Sequence, residues 1–422
     1  MLQSGFNTIC VLGLGYIGLP TASLIASRGI NVIGVDIEQA VVDQVNRGKI
    51  SMVEPDLEAL TAHAVAQGTL RATTTPQPAD AFIIAVPTPF HDGKADLAYV
   101  KAASLSLAPV LKRGDLIVLE STSPPGTTEK LAEQIASLRP DVKIASASDS
   151  QSCDVHVAYC PERVLPGRIL TELLENDRVI GGITPTCSER AIELYRIFCK
   201  GEMLKTSART AELCKLAENA FRDVNIAFAN ELARVCERLG INVWEMTRLA
   251  NHHPRVNILQ SGPGVGGHCI AVDPWFIVEA APEETHLIRT AREVNDSRPF
   301  VVVDKIKTAI AKTKSAGKPV TIALLGLAFK ADVDDLRESP ALLIAEAVSG
   351  LGEGLVTVVE PNVLELPNSL KGKASVRFET DVHRAVGGAS IVVMLVNHRP
   401  FAAIKPQELN GKILIDTRGV WS

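Results

Sequence analysis

One cysteine sits in an unusually bare setting. The run Gly262-Pro263-Gly264-Val265-Gly266-Gly267-His268-Cys269 is followed, four residues after the thiol, by Asp273. A structural cysteine has no need of glycine neighbours. A thiol that must come within bonding distance of a substrate carbon does, because glycines permit close backbone approach and leave N–H groups to stabilise a developing oxyanion. A glycine-rich loop carrying an incidental thiol is the competing interpretation, and this stretch alone leaves both open.

Three further sets of residues could do chemistry. Lys215, Asn219 and Arg222 fall at i, i+4 and i+7 of a Pro-free stretch, Thr210–Gly240, and would span about 60° of a helix. The other faces of that helix carry Leu213, Leu216, Phe221, Val224, Phe228 and Leu232, so a narrow polar stripe on an otherwise buried helix is expected. It suits a site, or equally a solvated edge with Glu218 and Arg222 as an ion pair. The loop YCPERVLPG holds Glu162 and Arg163, either a general base and its neighbour or a surface ion pair. The segment Phe329–Pro340, FKADVDDLRESP, follows an apolar strand. Its Lys330 and Arg337 could hold phosphates or carboxylates, or the segment is a solvated loop in which Glu338 or Ser339 starts the next helix.

Near the amino terminus, Gly13-Leu14-Gly15-Tyr16-Ile17-Gly18 lies between a predicted strand and a predicted helix, and the next strand ends in Asp36. This strand–turn–helix–strand–Asp order is the dinucleotide fingerprint. The glycines allow a tight turn and close approach of a pyrophosphate to a helix N-terminus, and the carboxylate bonds the ribose hydroxyls. Its charge repels a 2′-phosphate, so NAD is expected rather than NADP. Two more loops at predicted strand ends, VPTPF with Thr88 and ESTSPPGTT with Thr122, lie where such sheets bind ligands, although Pro and Thr are also ordinary turn residues.

These residues must be positioned by a chain of 422 residues, long enough for two or three domains. Short apolar runs (TICVLGLG, NVIGVD, AFIIAVP, LIVLEST) alternate with helical segments over the first part, then a helical middle follows, broken at Pro299 in its second stretch. After Lys318 the alternation returns with VTIALLGLAF, LVTVVEP, SIVVMLV and KILIDT. The expected class is α/β: an N-terminal Rossmann domain over 1–205, a central helical region over 206–317 acting as spine or subunit interface, and a C-terminal Rossmann-like domain over 318–422. A net charge of −5 argues against a nucleic-acid binder. No apolar run is long enough to span a bilayer and no basic leader opens the chain, so a cytoplasmic protein with no membrane partner is expected. The eight cysteines include no C-x-x-C pair; free thiols and no metal site are expected.

The ordered set GLGYIGLP, VPTP, ESTSPPGTT, CPER, KLAENAFRDVNIAFANE, PGVGGHC and GLAFKADVDDLRESP resembles the UDP-sugar 6-dehydrogenases of the UDP-glucose/GDP-mannose dehydrogenase family, over nearly the whole chain. Within the family, RLANHHPRVNILQSGPGVGGHCIAVDPWFIVEA resembles the members that act on UDP-N-acetylmannosamine. UDP-glucose dehydrogenases commonly read F-P-K-D after the cysteine; here the segment is Ile270-Ala271-Val272-Asp273. The resemblance implies oxidation of a UDP-sugar at C6 to the acid with two NAD, through a thiohemiacetal and a thioester, for surface-polysaccharide synthesis of the enterobacterial common antigen type. UDP-N-acetylglucosamine or UDP-glucose is the alternative substrate, and a nucleotide-sensing regulator without turnover the remote one. It implies Cys269 as nucleophile, Lys215 and Asn219 holding the C6 oxygen, Asp273 assisting near the thiol, Glu162 as general base and Thr122 near the nicotinamide. Arg163, Val164, Arg222, His253, Arg255, Gly266, Phe329, Lys330 and, more distantly, Arg418 would line the UDP-sugar site. Arg337 would touch NAD across the domain interface. Arg255 would act in a neighbouring subunit's site, which implies a homodimer.

Overall fold

The computed structural model describes residues 5–421 apart from 53, 92, 149–151 and 166. The first four residues, part of the stretch read for a leader, and Pro166 of the YCPERVLPG loop lie outside the described residues. The chain divides into two compact units, residues 1–218 with 275–282, and residues 219–274 with 283–422.

The first unit is built on strands β1 (Thr8–Leu12), β2 (Asn31–Val35), β3 (Leu70–Thr73), β4 (Ala81–Ile84), β7 (Leu116–Leu119), β8 (His156–Tyr159), β9 (Arg178–Gly182) and β10 (Met203–Ser207), with a two-strand ribbon of β5 (Phe90–His91) and β6 (Lys94–Ala95). The sheet order is β10-β9-β8-β7-β4-β1-β2-β3, parallel except where β9 runs against β8. Strands β4 (AFII) and β7 (LIVL) are buried throughout, as expected for strands covered on both faces. Hydrophobic cores lie on each side of the sheet. The winding reverses between β1 and β4, which places a crevice at their carboxyl ends.

The second unit carries a five-stranded parallel sheet, β13-β12-β11-β14-β15. Its strands are β11 (Thr321–Leu325), β12 (Leu355–Val359), β13 (Val376–Glu379), β14 (Ile391–Met394) and β15 (Ile413–Asp416). Its switch point lies between β11 and β14. The strand segments anticipated in both halves of the chain are thus present, and the α/β class holds.

Two long helices, Ala208–Leu239 and His286–Ser315, supply the helical middle. The second continues through Pro299 rather than breaking there. A proline removes one helical hydrogen bond, but Pro299 is buried, and packing of the surrounding apolar residues holds the helix across it. The first helix departs from expectation too: Leu213, Phe221 and Phe228 are exposed, so its apolar faces are not all inside. Among the described residues no helix is long and apolar enough to cross a membrane.

The two helices are joined by buried polar contacts. Arg292 Nη1 lies 2.5 Å from Asp223 Oδ1, with both side chains essentially inaccessible to water. Asn295 Nδ2 donates to the same Asp223 oxygen at 2.8 Å. Removing one partner from such a pair strands a buried charge, which typically costs about 3–5 kcal/mol. Arg292→Ala is therefore expected to lower the free energy of unfolding by that amount, read as a lower midpoint in urea titration. A shift within the scatter of surface variants would show that the pair carries no such weight.

Candidate active site

The glycine turn after β1 has the form a pyrophosphate needs. Gly13 adopts φ +92°, open to glycine but strained for other residues. A Cβ on Gly18 would fall 1.8 Å from the Gly13 carbonyl oxygen, so the turn closes only with glycine there. Nothing lies within 4 Å of the place where a Gly15 side chain would be, leaving that backbone open to a ligand. Tyr16 is exposed, and Ile17 precedes the helix Gly18–Ala26. Asp36 stands at the end of β2, with Oδ2 accepting from Leu14 N at 3.0 Å and Oδ1 from Glu38 N at 3.1 Å. The carboxylate is thus aimed at the glycine turn, and these residues fit a dinucleotide.

At the same end of the sheet, the Thr88 and Thr122 loops leave β4 and β7. Ser121 Oγ donates to the Val86 carbonyl at 2.7 Å and ties the loops together, with Thr88 and Thr122 half-buried. The Thr122 loop then turns into the helix Thr127–Leu138. Glu212 caps that helix, accepting from Gly126 N at 2.5 Å, Thr128 N at 2.7 Å and Thr128 Oγ1 at 2.6 Å. Lys215, half-buried, follows Glu212 by three residues on the long helix.

Glu162 lies just beyond β8. Its Oε1 accepts from Arg163 N at 2.6 Å, and its Oε2 is 3.5 Å from Arg178 Nη1. Arg178 is buried, stacked over the Tyr195 ring at 4.8 Å from its centroid. Buried Glu120, at the root of the Thr122 loop, accepts from Tyr195 Oη at 2.6 Å. Burial, then repulsion by Glu162, lifts the Glu120 pKa to about 7 against the pull of Arg178. Arg163 reaches Glu218 at 2.8 Å, the residue anticipated as a partner for Arg222, and also donates to the Asp177 carbonyl. Val164 packs against the core of this unit.

In the second unit, the glycine run is pressed onto the loop after β11. A Cβ on Gly266 would meet the Glu338 carbonyl oxygen at 2.5 Å and the Phe329 Cβ at 2.9 Å, and one on Gly267 would meet the Phe329 ring at 3.0 Å. Gly267 N donates to the Arg337 carbonyl at 3.2 Å. The glycines therefore serve close backbone packing that positions the following thiol. Cys269 is half-buried, with Sγ 3.0 Å from His268 Nδ1. Its carbonyl accepts from Val272 N at 3.0 Å and Asp273 N at 2.8 Å, in the turn that opens the helix Asp273–Ala280. Asp273 is buried and accepts from Asn219 Nδ2 at 2.6 Å. A thiol beside an imidazole, one turn from a buried carboxylate–amide pair, can act as a nucleophile. Cys10 and Cys160 cannot readily do so: burial pushes both thiols up to about 12.

Phe329 and Lys330 follow β11, and Arg418 follows β15 and donates through Nε to the Leu395 carbonyl at 3.1 Å. The loop after β11 is one of the two at the switch point of the second sheet, and Arg418 reaches the other, after β14, through Leu395. Desolvation draws the Arg418 pKa down to about 10, still charged near neutrality. Lys330 is exposed; Arg337 is exposed and paired with Asp335 at 2.6 Å. Ser339, one of the two anticipated helix starts, accepts from Leu342 N at 3.3 Å and caps the helix Pro340–Gly350. Arg222 lies exposed on the long helix; His253 and Arg255 are exposed after the helix Val243–Ala250, with Arg255 N donating to His253 Nδ1 at 3.3 Å.

Sequence reasoning did not single out Glu120, Arg178, Glu212 or His268. His268 adjoins the cysteine and could have been found by asking which base lies nearest to it. Arg178 and Glu120 become visible only when β7, β8 and β9 are laid side by side.

Residues 7–199 match the NAD binding domain of the UDP-glucose/GDP-mannose dehydrogenase family, 209–297 its central domain and 323–422 its UDP binding domain. The chain is 58% identical over 418 residues to an NDP-N-acetyl-D-galactosaminuronic acid dehydrogenase of Ralstonia nicotianae, covering 99% of this chain and 97% of that one. It is 56% identical over 421 residues to the UDP-N-acetyl-D-mannosamine dehydrogenase of Escherichia coli, covering 99% of each. A solved structure of the UDP-N-acetyl-mannosamine dehydrogenase Cap5O from Staphylococcus aureus superposes with a TM-score of 0.85 at 42% identity, covering 98% of this chain and 95% of that one.

The Glu120 environment has a consequence for stability. Its folded pKa of about 7 stands above the ordinary 4.5, so the folded state binds the proton more tightly than the unfolded one. Its contribution is most favourable below pH 4.5 and is lost as the pH rises to about 7, by on the order of 3 kcal/mol from a pKa-to-energy conversion of about 1.4 kcal/mol per unit. Glu120→Gln should flatten that decline, so that the variant gains on the parent between pH 5 and pH 8 in denaturant titrations. A parallel pH dependence of both proteins would show that Glu120 is ionised throughout.

Proposed function

The chain belongs to the UDP-glucose/GDP-mannose dehydrogenase family, and from that premise we propose that it oxidises UDP-N-acetyl-D-mannosamine at C6 to the uronic acid, with two NAD, through a thioester on Cys269. That it is an NAD-dependent UDP-sugar dehydrogenase follows from its family domains and from relatives matched along their full length. The carrying observation for the chemistry is Cys269 on its glycine-packed loop, with Sγ 3.0 Å from His268 Nδ1.

In this mechanism Gly13, Gly15, Tyr16, Ile17, Gly18, Asp36, Thr88, Thr122 and Arg337 hold NAD, which supplies the hydride acceptor when bound. Lys215 and Asn219 hold the C6 oxygen; the lysine cation and the amide N–H offset its negative charge as the alcohol becomes an aldehyde. Cys269 then adds through Sγ to the aldehyde carbon, forming a C–S bond, because an aldehyde has no hydride to give until something has added to it. Loss of hydride and of the hydroxyl proton, the latter to water, from that thiohemiacetal leaves a thioester. Glu162 takes a proton from the attacking water, the C–S bond breaks, and the thiol leaves as the carboxylate forms. Asp273 assists the proton steps beside the thiol, and Thr122 positions the water. Arg163, Val164, Arg222, His253, Arg255, Gly266, Phe329, Lys330 and Arg418 line the UDP-sugar site.

The choice of sugar rests on the relatives acting on UDP-N-acetyl-D-mannosamine and on Ile270-Ala271-Val272, which lacks the lysine found there in UDP-glucose dehydrogenases. The relative at 58% identity favours a second reading, an NDP-N-acetyl-D-galactosamine substrate. We take the domains as 1–205 for NAD, 206–317 for the helical middle and 318–422 for UDP, the enzyme as a cytoplasmic homodimer, and its product as a precursor of surface polysaccharide. Support for a dimer comes from Phe221, Phe228, Val235 and Leu239, which are exposed along the long helix.

Two experiments test the reading. NADH release with UDP-N-acetylmannosamine, UDP-N-acetylglucosamine, UDP-N-acetylgalactosamine and UDP-glucose, with product masses measured, should give two NADH per sugar and the acid fastest with the manno sugar. Preference for the galacto sugar selects the second reading. Separately, Cys269→Ser should abolish acid formation, and Lys215→Met should lower kcat about 10²–10³-fold, the range for loss of an oxyanion donor. Undiminished acid production by the serine variant would refute the thioester route.

A further inference from the structure

No C-x-x-C pair exists in the sequence, yet the fold gathers two thiols around one imidazole. Cys153 and His156 form a C-x-x-H step at the start of β8, and Cys187 lies in the first turn of the helix Pro185–Tyr195 that follows β9. Because β9 runs against β8, its carboxyl end returns to the amino end of β8 and delivers Cys187 there. We propose that Cys153, His156 and Cys187 form a binding site for zinc, separate from the dehydrogenase chemistry.

The three ligand atoms lie within 4.8 Å of one another. His156 Nδ1 is 3.3 Å from Cys153 Sγ and 3.7 Å from Cys187 Sγ. A tetrahedral zinc with Zn–S of about 2.3 Å and Zn–N of about 2.0 Å has S···N edges of about 3.5 Å. The observed separations bracket that value, so a zinc ion can enter with shifts of a few tenths of an ångström, an estimate on the scale of the ligand distances themselves. Two sulfurs and one imidazole nitrogen are a borderline-soft set that suits zinc over magnesium or calcium.

The surroundings support the sulfur ligands. Cys187 is buried, and its Sγ accepts from Val157 N at 3.4 Å and from Thr184 Oγ1 at 3.1 Å, which orients the sulfur and favours a thiolate. Cys153 and His156 are only half-buried, leaving the fourth corner to a water. Binding converts two thiols to thiolates, releases two protons to solvent and leaves a cluster with no net charge. Its place at the amino end of β8 is the end of the sheet opposite the carboxyl-end loops that carry Thr88, Thr122 and Glu162, so the ion would brace β8 against the helix after β9.

The full-length protein, reduced, incubated with zinc and desalted, should retain one zinc per chain by elemental analysis. Cobalt(II) in place of zinc should give the intense visible bands of a tetrahedral thiolate complex, a readout that needs no variant. Cys153→Ser and Cys187→Ser should each weaken zinc binding in a chelator competition by more than the ~10–100-fold typical of outer-shell changes, with NADH production by Cys153→Ser unchanged. Zinc far below one per chain, an octahedral cobalt spectrum, unaltered affinity in both serine variants, or a Cys153–Cys187 disulfide persisting under reductant would each overturn the assignment.

Discussion

Buried polar groups must find partners, and the long helix Ala208–Leu239 turns that requirement into a positioning device. Asn219, Asp223 and Asn230 project within about 40° of one another at 100° per residue. Each of these, like Glu212, grips a different segment. Glu212 caps the helix after the Thr122 loop, and Asn219 holds Asp273. Asp223 holds Arg292, and Asn230 donates to Asn295 while accepting from Gly262 N at 2.9 Å. A hydrophobic contact in these places would tolerate sliding; a hydrogen bond of 2.6–2.9 Å does not. The thiol loop is thereby fixed at Gly262 by Asn230 and at Asp273 by Asn219, with Cys269 between the two anchors.

Between those anchors the backbone is shaped by what is missing. Gly266 and Gly267 lie where any Cβ would meet Glu338, Phe329 or both at 3.0 Å or less. A glycine run is usually a flexible one, but here the freedom is consumed by packing, and the same contact brings Phe329 up against the loop that presents the thiol. Candidate nucleophile loop and candidate nucleotide-site residue are thus placed by one set of contacts within one unit.

Much of this was legible beforehand. Patterns governed by local rules read well: the strand runs, the Gly13–Gly18 turn with Asp36, and the helix beginning at Ser339 all depend on neighbours in sequence. The long helix carries a second polar set beside the one its sequence displays. Lys215, Asn219 and Arg222 stand out as charged or amide residues, whereas Glu212, Asp223 and Asn230 gain their meaning from partners 32 to 86 residues away. Pro299 misled because a local helix rule was applied where buried packing decides. The exposed Phe221 and Phe228 misled for the opposite reason, since an apolar residue on a helix does not itself say whether its own fold covers it.

The cysteines show how far residue type falls short of chemistry. Cys10 and Cys160 occupy apolar positions in strands or at their ends, and burial holds them as thiols to about pH 12. Cys160 even lies 3.8 Å from the Arg178 guanidinium, yet desolvation outweighs that cation. Cys269 is half-buried, beside an imidazole, on a loop that its own backbone contacts hold in place. What separates a candidate nucleophile from a core residue here is not proximity to charge, which Cys160 also has, but partial exposure of the sulfur together with an imidazole within reach. The glycines that first single out Cys269 are therefore only the outward mark of a candidate nucleophile; what marks it in the fold is a half-buried position on a closely packed loop, with its sulfur and an imidazole nitrogen 3.0 Å apart.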